Sequence, residues 1–258
     1  MGCSSCGQVQ SCVDQFGCPD NRVADFCIKR HDTRPSFKVK AVDCNGPMDL
    51  TGLVLEASMW AKAKFKKPVY YSDLYFGFQD EIGFGQVNQG DLIVIDQVRA
   101  PEQMLVVGFD EVNRLIQVQR GYHGTIPRSY TRGTEVKIFR VLNSPAITEM
   151  DRQDIPQVDG TVKTDVLVES RLVYEWAAQD TCFPGCYFFE FKLIKMIGVP
   201  FMGITGIIPS GPISFISYTA DELGCQLGAG VEWVRRFPVG EEGYLIRIGE
   251  SPTSENLF

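Results

Sequence analysis

Residues 171–196 read RLVYEWAAQDTCFPGCYFFEFKLIKM. In the second half, Tyr187, Phe189, Phe191 and Leu193 occupy alternate positions, with Phe188, Glu190 and Lys192 between them. Successive side chains of a strand point to opposite faces, so this period of two predicts a strand with one buried face and one partly wet face. The first half, RLVYEW, is a second β-branched and aromatic run, and Pro184-Gly185 marks a turn. The stretch therefore predicts two adjacent strands joined by CFPGC, and a sheet protein around them.

The same patterning extends outward on both sides. SFKVKAVD alternates as a strand, NGP supplies a turn, and LTGLVLEASMWAKAKFK is a longer strand region with Leu53, Leu55, Ala57 and Met59 on one face. Between residues 83 and 142, short β-rich runs are separated by Asp, Asn and Gly; MLVVGFDEVNRLIQVQR reads as a hairpin turning at FDEVN. GYHGTIPRSYTRGTEV, with Gly121, Gly124, Pro127 and Gly133, is the longest loop of that unit. Near the end, Tyr244, Ile246 and Ile248 make a final strand. From Met196 to Ala220 no charged residue occurs, yet the glycines and prolines there would leave backbone groups unsatisfied in lipid. This predicts an apolar loop docked on a neighbouring subunit, without stable membrane insertion.

Nine cysteines are unevenly placed: Cys3, Cys6, Cys12, Cys18 and Cys27 crowd the start, with Cys44, Cys182, Cys186 and Cys225 elsewhere. The first 20 residues have neither a positive region nor an apolar run, so they are not a secretory signal and predict synthesis in a reducing cytosol. Cys3 and Cys6 have the C-x-x-C spacing that lets two thiolates share one ion, and Cys182 and Cys186 flank a turn that could present a second pair. The candidate ligands for Zn or an iron-sulfur cluster are thus Cys3, Cys6, Cys12, Cys18, Cys182 and Cys186. A disulfide-stapled arm and unligated buried thiols stay open as alternatives. Residues 1 to about 33 have little periodicity and read as an irregular arm, with the folded body starting near Asp32.

The net charge of −7 disfavours nucleic acid as a partner, because that binding rests on clustered Lys and Arg. The one basic cluster, Lys62, Lys64, Lys66 and Lys67, alternates with Ala61, Ala63 and Phe65 and reads as a solvated strand face. The chain's two histidines, His31 and His123, sit in no catalytic motif, and neither a nucleophile elbow nor a phosphate-binding glycine loop is present. Cys44 lies at a turn without a basic neighbour to activate it. No residue is a candidate catalyst, and the expectation is a protein that is not an enzyme.

The run through Tyr174, Trp176, Asp180, Thr181, Pro184, Gly185, Tyr187, Glu190 and Phe191 resembles the N-terminal immunoglobulin-like domain of upper-baseplate proteins of tailed bacteriophages. There a strand ending in aromatics is followed by an Asp-Thr turn, Pro-Gly and an aromatic strand ending Glu-Phe. DLTGLVLEASMWAKAK looks like the early strand pair of that domain and FPVGEEGYLIRIGESPT like its last strand. The middle unit, from Gly90-Asp91 through RGYHGT to GTEVKIF, is similar to small barrels of phage tail and fibre proteins. The resemblance implies an all-β fold with an immunoglobulin-like β-sandwich at 34–69 and 146–258; the Cys-rich arm at 1–33, the small β-barrel inserted at 70–145 and the long apolar loop are this chain's departures from that pattern. The resemblance also implies a structural virion protein made in the host cytoplasm, assembling in tail, baseplate or neck as a homo-oligomeric ring with other tail and baseplate proteins. The Met196–Ile216 loop and the arm would then be docking elements. Two other readings stand beside it: a cytosolic thiol-ligated metalloprotein, and a carbohydrate- or receptor-binding module using Trp60, Trp176 and Trp233 as stacking platforms.

Overall fold

Alternating apolar residues become strands where the sequence places them, as the computed structural model shows over residues 24–43, 45–79, 87–96, 101–196, 231–238 and 243–249. The described residues form β1 (Phe26–Lys29), β2 (Phe37–Lys40), β3 (Val42–Asp43), β4 (Gly46–Pro47), β5 (Val54–Lys64), β6 (Tyr75–Phe76), β7 (Leu92–Ile95), β8 (Glu102–Asp110), β9 (Leu115–Gln119), β10 (Glu135–Phe139), β11 (Ala146–Pro156), β12 (Val162–Tyr174), β13 (Gly185–Met196), β14 (Val231–Phe237) and β15 (Tyr244–Gly249). The fold is all-β.

The largest sheet has the order β1-β15-β13-β5-β10-β7-β8-β9-β6, with β14 also on β13. A three-stranded sheet, β11-β12-β2, faces it, and the two enclose the first core in a sandwich-like arrangement. Tyr187, Phe189, Phe191 and Leu193 fill that core as their alternation predicts, together with Met59, Leu172, Tyr174, Trp176 and Ile246. Phe37 from the small sheet stacks on Phe191 at 5.7 Å and meets Phe189 edge-on at 5.3 Å. Aromatic pairs at these separations are favourable beyond their buried area.

β5 is long enough to serve two cores. Its first part pairs with β13, from Val54 opposite Ile194 to Trp60 opposite Phe188. From Trp60 onward it pairs with β10, ending with Lys64 opposite Glu135. A second core gathers Phe65, Phe76, Ile93, Met104, Val106, Ile116, Val118 and Ile138. The pairing path β5-β10-β7-β8-β9-β6 runs round it, and a bridge between Phe65 and Phe78 brings its far end back to β5. A third cluster on the reverse side of β5 and β13 holds Trp60, Phe139, Phe188 and Leu245. β15 starts hard against it: a Cβ on Gly243, whose φ is +147°, would lie 3.1 Å from both Phe189 O and Trp60 Cη2.

Several expectations change. β12 and β13 lie in different sheets, so CFPGC crosses the sandwich instead of closing a hairpin. The stretch expected to be irregular as far as residue 33 contains β1, which pairs parallel with β15 from Phe26 opposite Ile246 to Lys29 opposite Gly249 and buries Ile28. The folded body therefore begins before Asp32. Glu190 and Lys192 are buried, not partly wet, because they satisfy each other: Lys192 Nζ lies 3.0 Å from Glu190 Oε1, which also accepts from Ser58 Oγ at 3.1 Å. The apolar loop from Met196 to Ile216 lies beyond the described residues from its second position on. No helix among the described residues is long and apolar enough to cross a membrane.

The smaller sheet also projects. β2 pairs with β12 only at residues 171–174, so the β11–β12 pairing from Pro156–Val162 back to Asp151–Glu169 is a two-stranded ribbon. Its residues from Asp151 to Asp165 are exposed on both faces.

Candidate functional site

The crossing between the sheets is anchored by Asp180. Its Oδ2 accepts from the Tyr174 hydroxyl at 2.7 Å and from Ala177 N at 2.9 Å; its Oδ1 accepts from Asn143 N at 2.9 Å and Asn143 Nδ2 at 2.8 Å. Burial and the adjacent carboxylate push the Tyr174 hydroxyl pKa far up, so it remains a donor. Thr181 Oγ1 donates to Asp32 O at 3.0 Å, and Thr181 O accepts from His31 N at 3.2 Å. The Asp-Thr pair thus ties the end of β12, the segment before β11 and the chain after β1 into one joint.

The cysteines beside this joint behave differently from each other. Cys182 keeps a free thiol, half-buried; burial pushes its pKa up against the opposing pull of Arg140 and Arg30. Cys186 is disulfide-bonded. They do not pair with each other, and a disulfide sulfur offers no thiolate to an ion. Cys3, Cys6, Cys12 and Cys18 lie outside the described residues. Among the described residues no group of three or more His, Cys, Asp or Glu is placed to hold a metal ion.

Behind the crossing sits Arg140, buried at 2 % exposure, whose Nη1 donates to the Tyr187 hydroxyl at 3.1 Å. Its guanidinium lies 4.9 Å from the Phe183 ring centre and 5.1 Å from that of Tyr187. Asp91 is buried nearby and accepts from Asn88 N at 2.7 Å and Val141 N at 3.4 Å. Desolvation raises its pKa to about 6, with Arg140 opposing. A carboxyl tuned this way at a cleft would suggest acid-base work. Here both groups are buried, Asp91 at 1 % and Arg140 at 2 % exposure.

The RGYHGT loop is fastened by a second buried ion pair. Glu102 Oε1 accepts from Arg120 Nε at 2.6 Å, and Oε2 accepts from Arg120 Nη2 at 2.8 Å, the Tyr130 hydroxyl at 2.9 Å and Arg128 N at 3.0 Å. Arg120 spends its other donors on the carbonyls of Tyr70, Asp73 and Arg128. This bidentate fork holds two surface segments on β8. Gly121 is required in the loop: its φ is +64°, and a Cβ would meet Thr125 O at 2.8 Å. His123 lies against Gln103, Nδ1 to Oε1 at 2.9 Å, which makes it a loop support.

Among the described residues, a cleft of about 410 Å³ opens between residues 66–68, 73, 75–79 and 113–115. Lys66, Lys67 and Arg114 are exposed on its rim, and the buried rings of Phe76 and Phe78 lie at its base. β5 ends at Lys64, so Lys66 and Lys67 do not belong to the strand face on which alternation placed them. Lys62 does, and it pairs with Glu135 at 3.8 Å while lying 5.0 Å from the Phe188 ring centre. Arg114 enters from the β8–β9 turn, where Asp110 accepts from Asn113 N at 3.1 Å and Nδ2 at 2.8 Å. Nothing local in the sequence joins Arg114 to the lysines 47 and 48 positions earlier.

Trp60 and Trp176 are buried and stack in the cores, so neither is a platform for a ligand; the side chain of Trp233 lies outside the described residues. No protein-family model matches the chain, and no curated protein matches it either.

Proposed function

We propose that this protein is a non-enzymatic structural component of a tailed-phage virion, acting through protein-protein contacts in a tail, baseplate or neck assembly. The observation that carries the reading is the projecting β11–β12 ribbon, exposed on both faces over some fifteen residues a side-chain layer at a time. A two-stranded ribbon is at best marginally stable in water, so its retention points to a neighbour that covers it. The residues on which the resemblance rests support it: Tyr174, Asp180 and Thr181 form the joint of the crossing, and Tyr187 and Phe191 fill the core behind it. We read the sandwich as immunoglobulin-like and the circuit β5-β10-β7-β8-β9-β6 as a small inserted barrel, a reading supported by the Phe65–Phe78 bridge.

Two experiments test it. Sedimentation and negative-stain microscopy of the full chain are expected to find closed rings, and an antibody to the chain is expected to decorate released tailed particles. Label confined to free protein in the cell extract would overturn the virion reading.

A further inference from the structure

We propose that the tip of the β11–β12 ribbon of one copy seats in the Lys66–Lys67–Arg114 cleft of a second copy. The inference deepens the assembly reading above by naming its contact. From Gln153 to Thr161 the ribbon carries two carboxylates, Asp154 and Asp159, and no cation. Between them stands Val158, which is fully exposed, with Ile155 and Val162 also exposed beside it. The tip is therefore an apolar knob flanked by negative charge. The cleft has the complementary chemistry: buried aromatic rings, two lysines that make no ion pair among the described residues and an arginine beside them, three cations against the one lining carboxylate, Asp73, whose Oδ2 accepts from Tyr70 N at 2.8 Å.

Both parts are shaped before they meet. Asp159 Oδ1 accepts from Thr161 N at 3.0 Å and Thr161 Oγ1 at 2.7 Å, which fixes the turn; Asp154 Oδ1 accepts from Asp165 N at 2.9 Å. Each carboxylate keeps its other oxygen for a partner. Arg152, bridged to Asp49 at 3.1 Å and Asp165 at 3.2 Å, braces the ribbon against the body. Because knob and cleft are different surfaces, the contact is head-to-tail, and a head-to-tail contact closes a ring when its rotation allows. Opposite charge across it sets register and speeds encounter, and it weakens as salt rises.

The test is a charge exchange in the full chain, read by sedimentation at low and high salt. Lys66→Glu with Lys67→Glu reverses the cleft; Asp154→Lys with Asp159→Asn reverses the tip while Asn keeps the turn's accepting oxygen. Each pair alone is expected to reduce assemblies to smaller species at unchanged melting temperature, and all four together are expected to restore them. Should the tip pair lower the melting temperature, Asp154→Asn with Asp159→Asn gives the milder form, with an expected intermediate loss of assembly. A wild-type chain that stays monomeric overturns this contact and the assembly reading together. Rings that ignore the cleft reversal, or that the fourfold variant does not restore, overturn the contact and leave the assembly reading standing.

Discussion

At the scale of single residues, the buried polar groups decide more than their number suggests, because each leaves an uncompensated partner if removed. Asp180 is the clearest case. Replacing it by Ala strands the donors of Tyr174, Ala177 and Asn143, and is expected to cost about 3 kcal/mol in urea denaturation, while Tyr174→Phe costs about 1 kcal/mol. In the Asp180→Ala background the tyrosine substitution is expected to be nearly neutral; equal cost in both backgrounds would refute the bond. Asp91 gives a pH signature instead. Its folded pKa of about 6 exceeds the ordinary 3.8, so the fold holds its proton more tightly than the unfolded chain does. Its contribution is fully present below pH 4 and is lost as pH rises through 6. The stability of wild type minus that of Asp91→Asn is thus expected to fall by about 2 kcal/mol between pH 4 and pH 7. A difference that stays flat across that window would show that Arg140 fully compensates the buried charge.

At the scale of elements, the Glu102–Arg120 pair acts as a fastener between β8 and two surface segments. Arg120→Met leaves Glu102 with a buried charge and only two donors, and is expected to cost about 3–5 kcal/mol. Hydrogen exchange is expected to speed first at residues 121–129, since their backbone is held by side chains more than by strand ladders; uniform acceleration would argue against that role. What was legible in the sequence follows from the same distinction. β13, β5, the β8–β9 hairpin and β15 were readable because two-residue alternation over five or more positions is a local signal. β1 was not, since four residues, FCIK, gain their partner from β15 more than 200 positions later. The direction of the β12–β13 crossing escaped for a related reason: Pro-Gly announces a turn, but Asn143 and Asp32, which aim it, are distant in sequence. The cleft was half visible. The paired lysines stood out, but alternation assigned them to a strand that ends at Lys64, and only the fold brings Arg114 beside them.

At the scale of the whole molecule, β5 decides whether the protein behaves as one body or two. The likeness to phage barrels sets a unit from 70 to 145 into another, and among the described residues the buried side chains fall into separate clusters. Yet the second core takes Ala63, Phe65 and Val69 from before that boundary, and β5 hydrogen-bonds to β13 along its first part and to β10 along its last. Trp60 sits at the changeover, opposite Phe188 on one side and Phe139 on the other, with ring centres 5.9 Å and 5.4 Å away. Separating the units would require breaking this stack and freeing a strand shared by both ladders, so loss of either core exposes part of the other. Phe191→Ala in the first core and Ile138→Val in the second are expected to cost about 4 and about 1 kcal/mol. Both are expected to lower one common unfolding midpoint, followed together by tryptophan fluorescence and far-ultraviolet circular dichroism. If Ile138→Val instead split the transition in two, with the fluorescence step unmoved, β5 would be a tether between independent domains and not the strand that makes them fold as one.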